Sequence, residues 1–158
     1  MKMCSEMEHQ QMFTGILREL NETGQLEKEK LYMQHGSTTV YEHSLHVAML
    51  AVRMAERMHF AVHYEALIRG ALLHDYFLYD WHEKDASHRL HGFFHPGKSL
   101  HNATRDYKLN HIEKNIILRH MFPLTPIPPY YMEAWIVCAA DKCCATAETL
   151  ERFGVKPI

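Results

Sequence analysis

The chain has no uninterrupted apolar stretch of bilayer-spanning length, no block of like charge, no internal repeat and no low-complexity tract. The first absence argues against a membrane-spanning helix. The second, with 17 basic and 19 acidic residues and a formal charge of −2, argues against a nucleic-acid polymer or an anionic membrane as partner. Cysteine is scarce: Cys4, Cys138, Cys143 and Cys144 show no Cys-x-x-Cys spacing, which fits neither a disulfide framework nor a zinc ribbon. These thiols are expected to be reduced, with Cys138 and Cys144 filling small spaces in a helix. Charges at Lys2, Glu6, Glu8, Arg18 and Glu19 interrupt the first twenty residues, so no leader is expected and the protein is expected to be cytoplasmic. No strand pattern exceeds four residues.

At 158 residues and 47% hydrophobic composition, the chain suits one soluble globular domain. The excess is in histidine: 14 residues, no two adjacent, in a chain whose ordinary composition predicts far fewer. Each titrates near neutrality and can ligate a metal.

Periodicity predicts helices almost throughout. Met3, Met7, Phe13, Ile16, Leu17 and Leu20 recur at helical intervals up to Gly24, and a short second helix is expected from Glu27 to Met33. Gly36-Ser-Thr-Thr39 supplies turn and N-cap chemistry for a helix over 40–58, which contains no Gly or Pro, and another is expected over 64–74. Between Asp75 and Gly97 the pattern breaks into aromatics and histidines, as a functional lid would. Helices over 98–107, 111–120 (capped by Asn110 with Glu113 as a capping box) and 130–153 complete the chain. The prolines at 123, 126, 128 and 129 must separate the last two. The expected architecture is an all-α globular bundle of six to seven helices. An N-terminal helical extension over 1–37 packs on a core over 38–153.

Three anomalies share one chemistry. His43 lies on an apolar stripe with Val47, Leu50 and Met54, facing the core. Ala71-Leu-Leu-His74-Asp75 runs an apolar face straight into an imidazole and a carboxylate. Trp135 to Asp141 is an apolar run whose only charge is Asp141. Singly, each has a bland reading as a packed core histidine, a common dipeptide or an aspartate capping a neighbouring helix. Burying all four costs several kcal/mol unless a cation neutralises them. His43, His74, Asp75 and Asp141 thus form a two-nitrogen, two-oxygen candidate metal set drawn from three helices, as bundles build such sites.

The order His … His-Asp … Asp resembles the HD-domain superfamily of metal-dependent phosphohydrolases, in its histidine-rich branches. Tyr41 to Ala48 resembles the family's first-histidine helix, Ala71 to Asp75 its His-Asp signature, and Ala139 to Lys142 its final aspartate. The resemblance implies one or two divalent ions held by His43, His74, Asp75 and Asp141, with Asp75 central to catalysis and a metal-activated water attacking phosphorus. A mixed imidazole and carboxylate set suits Mn, Fe, Ni, Zn or Mg. It also implies that His95, His101 and His120 face a second metal or the phosphate, His95 being expected just ahead of a helix N-terminus. Lys98, Arg119 and Lys142 are candidates to offset substrate charge, and Tyr79 and Trp81 to stack on a base. The expected partner is a small phosphate-containing molecule, nucleotide-like; a homo-oligomer is compatible with the sequence.

The chain departs from the pattern where Tyr76-Phe77-Leu78 replaces the Ile-Gly-Lys that follows His-Asp in many catalytic members. Two rival readings therefore stand beside hydrolysis: a dimetal oxygenase, and a metal-bound ligand-sensing module without turnover. His46 is expected to support the site or to pack. His82, His88 and His91 belong to the expected lid, and His9, His35, His59, His63 and His111 are expected at the surface.

Overall fold

A computed structural model describes residues 2–80, 82 and 90–154, with the side chains of 2–5 excepted. Helix α1 (Lys2–Thr23) is followed by a 3-10 helix (Leu26–Leu31) and a two-stranded antiparallel hairpin, β1 (Met33–His35) and β2 (Thr38–Thr39). Then come α2 (Val40–Met58), α3 (Tyr64–Leu73), α4 (His91–Asp106), α5 (His111–Arg119) and α6 (Met132–Arg152). The all-α expectation holds, the hairpin being the one sheet among the described residues. None of the described helices is long and apolar enough to cross a membrane.

The strongest sequence signals set the helix starts. Thr39 and Glu42 close a capping box on α2, as Asn110 and Glu113 do on α5, satisfying N–H groups that a helix start leaves unpaired. Helix α2 ends where His59 takes a left-handed conformation at φ 55°. Helix α3 is the centre of the bundle. Every residue from Ala66 to Leu73 is buried, and it packs against α1, α2, α5 and α6. An apolar surface on all sides marks a helix enclosed by others. Its one buried charge, Arg69, donates to Glu113 at 3.0 Å and Glu19 at 2.8 Å, tying α3 to α5 and α1. Ala48, Ala51 and Ala55 give α2 a flat, fully buried stripe.

Gly70 marks a close approach of α3 to α5. A Cβ there would collide with Ile116 Cδ1 and lie 3.0 Å from its Cβ and Cγ2. Gly70→Ala would gain about 1 kcal/mol of helix propensity, yet overpacking of a closed core costs about 1–3 kcal/mol. A lower melting temperature by calorimetry is the expected outcome; a rise would show that α5 recedes freely.

Four sequence expectations are corrected. The segment expected as a helix from Glu27 to Met33 is a 3-10 helix to Leu31, with Met33 already in β1. Helix α4 starts at His91, not Lys98, so His95 sits inside a helix rather than ahead of one, and the anion site expected at that terminus does not exist there. Pro96-Gly97 read as punctuation, but Pro96 lies within α4, where its missing N–H forfeits only one intrahelical bond. His35, expected at the surface, is half-buried, because β1 lays its ring edge-on to His43 at 5.4 Å.

Candidate metal centre

Helix ends aim the imidazoles. His74 and His120 follow the last residues of α3 and α5, and their Nδ1–H groups donate to the Ala71 carbonyl at 2.6 Å and the Ile117 carbonyl at 2.8 Å. Terminal carbonyls lack intrahelical partners, so each helix end both accepts this bond and orients the ring. Within α4, His95 Nδ1–H donates to the His91 carbonyl at 2.9 Å. A carbonyl can only accept, so Nδ1 carries the proton in all three rings and Nε2 carries the lone pair when neutral. The fourth ring, His43, turns Nδ1 to Glu148 Oε2 at 2.8 Å and Nε2 inward.

The four Nε2 atoms converge around Asp75. Its Oδ2 lies 3.3 Å from His74 Nε2 and 3.7 Å from His43 Nε2. Its Oδ1 lies 3.0 Å from His95 Nε2 and 3.3 Å from His120 Nε2. Asp141 Oδ1 joins the first pair, 3.0 Å from His43 and 3.6 Å from His74. Two ligand clusters form around Asp75, His43-His74-Asp75-Asp141 and Asp75-His95-His120, with ligand atoms in each within 4.8 Å of one another; a third group of that kind, His35-His43-Glu148, adjoins them without Asp75. Asp75 belongs to both.

Metal ions fit this arrangement on two observations. His74 Nε2 and Asp75 Oδ1 are buried and make no hydrogen bond among the described residues. His95 Nε2 and His120 Nε2 lie 2.8 Å apart with both Nδ1 protons committed elsewhere, so in the neutral rings two lone pairs confront each other. A cation bound by both removes that repulsion. The electrostatics agree. Burial alone would neutralise these groups. At His74 it is outweighed by Asp75 and Asp141, which hold the ring's pKa well above the usual value. His43 is likewise opposed by burial but pushed up to about 9 by its bonds to Asp141 and Glu148. Burial also disfavours ionised Asp75 and Asp141, yet imidazoles hold both well below the usual carboxylate range. The centre demands positive charge.

The other candidates from the sequence lie as follows. Lys98 and His101 line a cavity of about 710 Å³ with Lys28, Arg105, Phe77 and Phe94. Phe77 stands between that cavity and the metal centre, its ring 5.8 Å from that of His95. His101 is exposed, and the structure does not bring it into either ligand cluster. Tyr79 Oη is 2.7 Å from His91 Nδ1, and the Lys98 ammonium sits 4.6 Å above the Tyr79 ring. Lys142 Nζ donates to the His120 carbonyl at 3.0 Å and the Cys138 carbonyl at 3.4 Å, bracing the end of α5. Arg119 is half-buried in the last turn of α5. Trp81 and His88 lie outside the described residues. Cys138 is buried and Cys144 half-buried in α6.

Sequence reasoning missed Glu148, Gln34 and Glu29. Glu148 accepts from His43 Nδ1 and, at 3.2 Å, faces His46 Nδ1. It lies one helical repeat of seven residues beyond Asp141 on α6, a spacing that could have flagged it. Partners of a ligand's second ring nitrogen typically contribute 10- to 100-fold in metal affinity, about one to two decades. Glu148→Ala is therefore expected to weaken binding by about that factor in a competitive chelator titration; an unchanged affinity would separate Glu148 from the centre. Gln34 donates from β1 to Asp75 Oδ2 at 2.7 Å. Glu29 is fully buried, and burial, then the charge of Asp75, raise its pKa well above the usual range.

The family model for the HD domain matches residues 40–146, and the chain belongs to this family. No curated protein and no solved structure matches it. Membership points to metal-dependent hydrolase chemistry, and the buried clusters are suited to hold the metal.

Proposed function

We propose that this HD-domain protein is a phosphohydrolase that cleaves a phosphomonoester or phosphoanhydride of a small nucleotide-like molecule, with two divalent ions sharing Asp75. The observation that carries the reading is the division of the Asp75 oxygens between two imidazole pairs. Paired ions bound there would lower the pKa of water and neutralise charge developing at phosphorus. The protein's own contribution is orientation. Helix-end carbonyls and Glu148 hold the imidazole tautomers, Asp75 and Asp141 supply the anionic ligands, and the apolar shell of α2, α3 and α5 limits water. Phe77, Lys98, Lys28 and Arg105 give the neighbouring cavity aromatic and cationic walls with no carboxylate among its lining residues, a surface suited to an anionic aromatic ligand.

The test is metal analysis of protein purified without chelators, then phosphate release over a nucleotide panel with Mn or Fe added. Metal-dependent release supports the reading. A metal-loaded protein inert on every phosphate compound sinks it; oxygen uptake by the iron form would point to an oxygenase, and nucleotide binding without turnover to a sensing module.

A further inference from the structure

We propose that Gln34 is a positioning residue of the metal centre, its amide fixing the plane of the Asp75 carboxylate so that one oxygen serves each ligand cluster. Gln34 precedes the family-matched segment, residues 40–146. It sits on β1, where the pleat turns it inward between exposed Met33 and half-buried His35. The hairpin turn that holds β1 in place needs Gly36, whose φ of +58° suits glycine.

A metal-binding carboxylate offers only acceptors, so the amide face that suits it is the N–H. Nε2 donates to Oδ2 at 2.7 Å, the oxygen that faces His43 and His74. Gln34 Oε1 is enclosed and makes no hydrogen bond among the described residues. Burying a primary amide is unfavourable without compensation. Among the described residues the side chain bonds to Asp75, and that carboxylate compensates the burial of its N–H end.

A carboxylate rotates easily about Cβ–Cγ and can chelate one ion with both oxygens. Bridging requires the rotation to be arrested with Oδ1 toward His95 and His120. Among the contacts of Asp75, the imidazole nitrogens are themselves ligands and give way to an ion. The Gln34 amide belongs to neither ligand cluster, so its bond would not have to yield to an ion. Without it, Asp75 is expected to turn both oxygens to the His43-His74-Asp141 cluster, leaving two imidazoles for the other ion.

The inference rests on the two-ion part of the proposed function and not on the reaction. Its test is Mn titration of chelator-stripped full-length protein by calorimetry, with electron paramagnetic resonance to detect coupling between adjacent ions. The parent is compared with Gln34→Met, similar in length but without an N–H, and Gln34→Asn, which withdraws the amide by one methylene. Both variants are expected to lose about 10- to 100-fold in affinity for the second ion, with the coupled signal diminished, while the first ion binds as in the parent. Parent-like binding of both ions by a folded variant overturns the proposal, as does equal weakening of both or a parent that binds one ion. In the parent itself, the Gln34 amide protons should exchange slowly and shift when Zn is added; rapid, Zn-independent exchange would overturn it without any variant. Two bound ions with no phosphate release would defeat the hydrolase reading and leave this one standing.

Discussion

Asp75→Asn is expected to remove both metal ions at stoichiometric loading and to lower phosphate release on the order of a thousandfold. Asparagine matches aspartate in shape, so packing around α3 is preserved, but its neutral amide presents one oxygen and one N–H group to clusters that each need an anionic oxygen. Asp75 is the one residue common to both ligand clusters, so no other single replacement among them disables both. Metal catalysis contributes several kcal/mol to barrier lowering. About 4 kcal/mol corresponds to a thousandfold in rate. The measurements are metal content by mass spectrometry and phosphate release, with circular dichroism confirming the fold. A folded Asp75→Asn protein that retains both ions and most of its release would refute the bridging role.

Stripping the metal with a chelator is expected to lower the melting temperature by about 8–16 °C. A ligand present at a thousandfold excess over its Kd stabilises the native state by about 4 kcal/mol. For a chain of this size each kcal/mol moves the midpoint by about 2–4 °C. The physical source is the buried centre itself: His43, His74, Asp75 and His120 have almost no exposed surface, and without cations their lone pairs and charges face one another. Calorimetry of chelated and Mn-reloaded samples decides the matter. An unchanged midpoint would mean that protons alone satisfy the cluster, and it would remove the case for resident ions.

Asp141 and the His74-Asp75 pair were legible as polar residues at the ends of apolar runs, and His43 as an imidazole on an apolar stripe. Burial of charge carries an energetic penalty that linear pattern exposes wherever the surroundings are apolar. His95 and His120 were legible through resemblance, not through pattern, because His95 lies in a stretch broken by Gly92, Pro96 and Gly97. Glu29 stayed hidden in Leu-Glu-Lys-Glu-Lys, which reads as a solvated surface although Glu29 is fully enclosed. Gln34 was equally invisible, a single amide in a two-stranded hairpin too short to show a period.

By itself the sequence determined the helices with strong caps, the all-α class, and which imidazole and carboxylates resist burial without a cation. These follow from local chemistry: capping bonds, helical periodicity and the cost of enclosing charge act over a few neighbouring residues. Only the tertiary structure decided that the two oxygens of Asp75 face different histidine pairs, that α4 begins early enough to bring His95 to His120, and that Gln34 reaches Asp75 across 41 residues. Those are relations between segments whose meeting depends on how α2, α3, α5 and α6 pack around one core, and no local spacing encodes the rotation of a carboxylate at their centre.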